Sequence, residues 1–166
     1  MRRFALLVVL LCCLFASATA QEVMVGATDT ESYMPLVEGK RVAILANHTA
    51  MYSSEEHIVD MMHREGVNIV GIFSPEHGFR GSVEAGEKVK NSVDERTGIP
   101  ILSLYDGNTQ RPSDDVMRSF DTLVVDMQDV GLRFYTYYIS MVRMIDAWTS
   151  ISGSSTGGGR RRVIPL

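Results

Sequence analysis

The chain has 166 residues, 16 basic against 20 acidic, with 45% hydrophobic residues and a net charge of −4. That length suits one domain of ordinary size, and an acidic balance without a basic cluster in the segment that reads as folded removes the electrostatic footing for nucleic-acid binding. The two cysteines, Cys12 and Cys13, both fall in an apolar leader, so beyond it there is no disulfide framework, thiolate nucleophile or zinc–cysteine site.

In chain order, Arg2-Arg3 precedes the apolar run from Phe4 to Phe15, and Ala18-Thr19-Ala20 follows as a small-x-small cleavage pattern. This is the pattern of a secretory signal peptide over 1–20. The run is shorter than the ~20 residues that span a bilayer, so the expectation is a secreted or periplasmic protein with no stable membrane anchor after cleavage. Taking away Arg2 and Arg3 leaves 14 basic residues against 20 acidic, a net charge of −6. Residues 21–38 are polar and aperiodic and read as a lead-in over a surface, ahead of a folded unit over 39–147.

Arg41-Val42-Ala43-Ile44-Leu45-Ala46 is a short continuous apolar run, as expected of a strand buried on both faces of a parallel sheet. Ser53-Ser54-Glu55-Glu56 reads as a helix start, with Ser53 as N-cap and Glu56 completing a capping box. A second strand is expected over 68–73. Strand, helix and strand together have the size of a right-handed parallel βαβ crossover. A polar loop follows, then a third strand at Ile99 to Leu104 with Pro100 near its start, where a missing donor is tolerated. Arg111-Pro112-Ser113 opens a short helix through Ser119, and Phe120 to Met127 is a further strand. From Tyr135 to about Trp148 the residues Tyr138, Ile139, Met141, Val142 and Ile145 recur at helical spacing. The expected class is therefore α/β.

Polar groups collect where these strands end: Asn47 and His48; Glu76, His77 and Arg80; Asp126, Gln128, Asp129 and Arg133, followed by Tyr135, Tyr137 and Tyr138. Ligands of open α/β sheets bind beyond the carboxyl ends of the strands. Ile72-Phe73-Ser74-Pro75-Glu76-His77-Gly78-Phe79-Arg80-Gly81 is the most telling stretch, because an apolar strand empties into a turn that Pro75, Gly78 and Gly81 keep irregular. Glu76, flanked by Phe73 and Phe79, suits a general acid raised by desolvation; equally, it suits a partner of Arg80 that only organises the turn. His77 reads as a proton-transfer group or a structural hydrogen bonder. Asp126 and Asp129 read as metal ligands with His77 or as caps of local backbone, and the tyrosines as a sugar platform or as helix packing. There is no glycine-rich phosphate fingerprint and no Gly-x-Ser-x-Gly elbow.

Ala46-Asn47-His48-Thr49, Phe73-Ser74-Pro75-Glu76-His77-Gly78-Phe79-Arg80-Gly81, Ala85-Gly86-Glu87, Asp94-Glu95-Arg96-Thr97-Gly98, Ser103-Leu104-Tyr105 and Val125-Asp126-Met127-Gln128-Asp129-Val130-Gly131-Leu132-Arg133-Phe134-Tyr135-Thr136-Tyr137 occur in the order seen in one family. The chain resembles the exo-β-N-acetylmuramidases, bacterial cell-wall glycosidases long catalogued as a domain of unknown function. The resemblance implies a Rossmann-like, three-layer amino-terminal domain with a mostly parallel sheet, and release of N-acetylmuramic acid from the non-reducing end of peptidoglycan fragments. It implies no cofactor and no metal, and muramyl sugars as partners; oligomeric state is not legible. It places the catalytic acid/base on Glu76 with His77 beside it, and a pocket shaped by Asn47, Arg80, Asp126 and Gln128, with Arg133 and Tyr135 from the same motif. Glu87 is the implied second carboxylate. His48 stands where the family usually has glutamine.

The resemblance stops after Ala147, short of the family's next strand and second domain. Residues 148–166, rich in Ser, Gly and Arg, read as an aberrant disordered tail from a shifted frame or a truncated gene. The functional expectation is a truncated, impaired glycosidase, against a non-catalytic sugar-binding fragment of the envelope, with a metal-dependent hydrolase a distant third.

Overall fold

The computed structural model describes residues 23–82, 84, 87, 90–105, 111–152 and 161–166; the leader expected over 1–20 lies outside them. The helices are α1 (Thr30–Val37), α2 (Ile58–Arg64), α3 (Asp114–Arg118) and α4 (Thr136–Ser152). The strands are β1 (Val42–Ala46), β2 (Ile69–Ser74), β3 (Ser92–Val93), β4 (Pro100–Ser103), β5 (Thr122–Asp126) and β6 (Arg162–Pro165). They form one sheet in the order β3-β4-β2-β1-β5-β6, parallel throughout except for β3 at one edge. Chain order reverses direction across β1 and β5, the topological switch point of a Rossmann-like sheet.

Strand side chains alternate between faces, so β1 feeds two cores at once. Val42, Ile44 and Ala46 join α1 and α2 residues such as Tyr33, Val37, Val59 and Met62 on one face. Ala43 and Leu45 join α3 and α4 residues such as Met117, Met144 and Trp148 on the other. The result is three layers of helix, sheet and helix. Pro100 is the first residue of β4, as its missing N–H requires.

Four expectations change. The segment read as a lead-in over 21–38 contains α1, whose Tyr33 and Val37 are buried and whose Tyr33 hydroxyl donates to the Ala27 carbonyl at 2.7 Å; Met34 and Leu36 pack beside these two anchors and help to seat the short helix. Ser53 does accept from the Glu56 N–H, at 3.1 Å, yet this closes a turn and not a helix. α2 starts at Ile58, capped by the His57 ring. On α4 the buried stripe is Tyr137, Met144, Ala147, Trp148 and Ile151, while Tyr138, Ile139 and Val142 are exposed.

The fourth concerns 148–166. α4 continues through Ser152, with Trp148 stacked on Phe120 at 4.3 Å between ring centroids, and β6 pairs in parallel with β5. Val163 and Ile164 pack on opposite faces of the sheet, and the Arg161 guanidinium lies over the Trp148 ring at 4.8 Å. Only 153–160 of the expected disordered tail lies outside the described residues.

Arg80 also takes a different part from the pocket residue expected. Its Nη1 and Nη2 donate to both Asp60 oxygens at 2.8 and 2.7 Å, and its Nε and Nη2 to both Asp94 oxygens at 3.0 and 2.8 Å. The guanidinium thereby ties α2, the turn after β2 and the turn before β4 together, and Glu76 is not its partner. Its hydrogen bonds to Asp60, outweighing burial, raise Arg80 above the ordinary arginine range, and hold the Asp60 carboxyl below its own. Burial pushes Asp94 up, but bonds from Arg80 and Thr97 outweigh it and leave the carboxyl low. Both aspartates thus contribute stability above the unfolded carboxylate range, and that stability is lost as pH falls through their lowered values. Arg80→Ala strands the buried Asp94, and is expected to cost about 3–5 kcal/mol in denaturant unfolding at pH 7. Arg80→Lys, lacking the planar fork, should recover little of it, and as pH falls through the lowered range of the two carboxylates the difference between wild type and Arg80→Ala should narrow as they protonate.

Candidate functional site

β1 ends at Ala46, which pairs with Asp126 at the end of β5. The chain leaves the sheet at Asn47, fully buried. Its Oδ1 accepts from the Thr49 N–H at 3.1 Å and the Thr49 hydroxyl at 2.6 Å, closing a short side-chain turn. The Thr49 hydroxyl oxygen in turn accepts from the Gln128 N–H at 3.1 Å, so the loops after β1 and β5 are pinned to each other. From below, His57 Nε2 bonds the Asn47 carbonyl at 2.8 Å while its Nδ1 accepts from the Val59 N–H. Nδ1 must therefore be unprotonated, and burial lowers the His57 pKa accordingly. The sequence reading missed His57; its signal was a histidine just before the first apolar turn of α2.

β2 ends in the Ser74-Pro75-Glu76-His77-Gly78 turn. His77 has φ 71° and Gly78 φ 79°, and a left-handed non-glycine residue is strain of the kind that clusters at functional sites. Gly81, at φ 71°, lies under the His48 ring, which a Cβ there would meet at 2.9 Å. His48 thus packs on the turn that carries Glu76. The half-buried Glu76 accepts from the Thr136 hydroxyl, the first residue of α4, at 2.6 Å, which fixes the carboxylate against the helix start. Beside it, the His77 ring meets Tyr137 edge-on at 6.3 Å, and Tyr137 meets Tyr135 at 4.9 Å.

Among the described residues, the buried side-chain atoms with no hydrogen-bond partner are Asn47 Nδ2, Asp126 Oδ2 and the Tyr137 hydroxyl. All three lie around the switch point. Burial raises the Asp126 carboxyl to about 6. Burial also raises the Tyr137 phenol, partly offset by the neighbouring Asn47 amide, although the two do not meet hydrogen-bond geometry. Buried polar groups are normally satisfied, and exceptions gathered in one place signal groups waiting for a ligand.

The structure therefore brings Asn47, Glu76, His77 and Tyr135 into one neighbourhood with Thr136 and Tyr137, and sets Asp126 at the adjoining strand end. Gln128 contributes its backbone N–H while its side chain faces outward. Glu87 is exposed, and its N–H bonds the Glu84 carbonyl. Asp129 is occupied with backbone, accepting from the Gly131 and Tyr138 N–H groups at 2.7 and 3.0 Å. Among the described residues no group of three histidine, cysteine or acidic side chains has the geometry to hold a metal ion. Arg133, Tyr135 and Thr136 share a cavity of about 220 Å³ at the start of α4. A larger one, about 430 Å³, lies at the opposite end of the sheet, near Gly39 and Gly66. The smaller one adjoins the converging polar groups through Thr136, whose hydroxyl bonds Glu76, and it lies at the carboxyl ends of the strands, where ligands of such sheets bind.

The profile described as the amino-terminal part of the exo-beta-N-acetylmuramidase NamZ matches residues 42–153. The peptidoglycan beta-N-acetylmuramidase NamZ of Bacillus subtilis is 37% identical over 116 residues, which cover 69% of this chain and 28% of that protein. Two crystal structures of DUF1343 family proteins from Bacteroides fragilis superimpose with TM-scores of 0.70 and 0.68, at 44% and 32% identity, covering 88% and 82% of this chain and 35% and 32% of theirs. The chain thus spans little more than a quarter of the Bacillus relative and about a third of the two solved proteins. With the profile spanning most of the chain, and with the Rossmann-like sheet that carries the matched motifs, the chain belongs to the exo-β-N-acetylmuramidase NamZ family and corresponds to its amino-terminal part.

Proposed function

We propose that the chain serves the release of N-acetylmuramic acid from the non-reducing end of peptidoglycan fragments, with Glu76 as the acid/base. The single observation that carries this reading is the position of Glu76: just past the end of β2, beside the switch point, oriented by Thr136, with three unsatisfied buried polar atoms around the same strand ends. A glycosidase acid must protonate the leaving oxygen, and a carboxyl group fixed at a strand end can reach it. Asn47 Nδ2, the Tyr137 hydroxyl and Asp126, which is protonated below about pH 6, suit the hydroxyl and acetamido groups of a sugar. His77 and Tyr135 supply ring surface beside them. The leader over 1–20 supports action outside the cytoplasmic membrane, where such fragments arise.

A second reading, sugar binding without turnover, is favoured by the open side of the site, where Leu132 and Phe134 are 50% and 81% exposed. Hydrolysis by a protonating acid profits from a site closed to bulk water.

Glu76→Gln is expected to reduce release of N-acetylmuramic acid from a chromogenic muramide by about 10³-fold, with unchanged thermal unfolding and with sugar affinity kept within about threefold. Wild-type turnover in that variant would remove Glu76 from the mechanism, and sugar binding without any release by the wild-type chain would select the second reading. Asp126 gives a separate check. Its folded pKa lies above the unfolded value, so its stabilising balance holds at low pH and is lost as pH rises through about 6. Asp126→Asn should therefore raise the melting temperature at pH 8 and change it little at pH 4.

A further inference from the structure

The cavity of about 220 Å³ at the start of α4 is built from one helical face, Thr136, Ile139, Ser140 and Arg143, at spacings of three, four and seven residues, closed by the preceding loop through Arg133 and Phe134. The opposite face of the helix, from Tyr137 to Ile151, is committed to the core. Two guanidinium groups thus line one small concavity. Elsewhere in the chain Arg41, Arg64, Arg80, Arg96, Arg111 and Arg118 each pair with a carboxylate. Arg133 and Arg143 pair with none among the described residues, even though the chain carries net negative charge. Asp129, the acid nearest along the chain to Arg133, spends both oxygens on backbone N–H groups, and Asp146, one turn beyond Arg143, forms no ion pair with it. The amino-terminal end of the 17-residue α4 adds positive potential at the same place.

A concavity with two guanidiniums that no carboxylate among the described residues compensates selects a carboxylate, which arginine binds bidentately. Its other walls mix hydroxyl-bearing side chains, Tyr105, Tyr135, Thr136 and Ser140, with the apolar Phe134 and Ile139, which are 81% and 41% exposed. A ligand group bearing both a carboxylate and a small alkyl substituent fits both halves. Muramic acid carries such a group as the lactyl ether on its sugar ring, and N-acetylglucosamine does not. Thr136 belongs to this cavity and also holds Glu76 at 2.6 Å, so a ring seated with its ether here brings its anomeric carbon toward the catalytic carboxylate. We propose that this cavity is the lactyl subsite, with Arg133 and Arg143 taking the carboxylate and Phe134 and Ile139 the methyl group, and that it makes the site select muramyl over glucosaminyl sugars. The proposal rests on the reading of the site as one for muramyl sugars.

Its test is calorimetric titration of the whole chain with three probes: N-acetylmuramic acid, the methyl ester of its lactyl group, and N-acetylglucosamine. The acid is expected to bind at least about tenfold more tightly than the ester. Arg133→Gln together with Arg143→Gln should erase that preference by weakening binding of the acid at least about tenfold relative to the ester. Both arginines are exposed, so the fold should survive, and thermal unfolding confirms it. Equal binding of acid and ester by the wild-type chain, or a preference that survives the double substitution, overturns the subsite and leaves the functional reading standing. If none of the three sugars binds, the functional reading falls and the subsite falls with it.

Discussion

Every residue from Val42 to Asn47 is buried, because β1 is paired on both sides and covered on both faces. A strand so enclosed admits no polar side chain along its length and can present one only where it leaves the sheet. That constraint sets the position of the chemistry. It places Asn47 at the mouth between β1 and β5, and pairing with β2 and β5 brings Glu76 and Asp126 to the same edge. The helices needed to cover the two faces follow from the same demand, and one of them, α4, carries the Thr136 hydroxyl that holds Glu76.

Within that frame the two arginine environments have opposite purposes. Arg80 is largely committed: Asp60 and Asp94 take four of its five N–H donors, and its guanidinium lies over Phe79 at 4.5 Å. Its gain is mechanical, since it immobilises the turn in which His77 must keep a left-handed backbone. Arg133 and Arg143 are the reverse case. Without carboxylate partners among the described residues and on exposed elements, they contribute little to stability and keep their charge for what enters the cavity.

The parts of this arrangement legible in the sequence were those written in local pattern. Continuous apolar runs marked β1, β2 and β5, and the Pro-Glu-His-Gly turn marked Glu76, because strand ends announce themselves through proline and glycine. Arg80 was misjudged because its partners stand 20 and 14 residues away, and no local spacing shows which of several nearby charges an arginine will reach. The stripe on α4 was misplaced because the helix has two apolar faces, and only the position of Phe120 and the sheet decides that Trp148 and Ile151 go inward while Ile139 and Val142 go outward. β6 escaped for the same reason: a four-residue segment beside an arginine run has no signal of its own and becomes a strand through the free edge of β5 and the Trp148 ring beneath Arg161.

That dependence on distant partners also explains why the site is assembled at an element start. A carboxylate held by a neighbour in its own loop would follow the loop wherever it moved. Glu76 is held by Thr136, 60 residues away, on a helix whose inner face is locked by Met144, Ala147 and Trp148 against the sheet. The outer face of the same helix turn lines the cavity with Ile139, Ser140 and Arg143. One rigid element therefore carries both the hydroxyl that holds Glu76 and the Arg143 side of the cavity, and the separation between Thr136 and Arg143 is fixed by helical geometry. For a reaction that must place one atom of a sugar ring while recognising a substituent elsewhere on it, a common rigid support is the feature that lets recognition at one position determine alignment at the other.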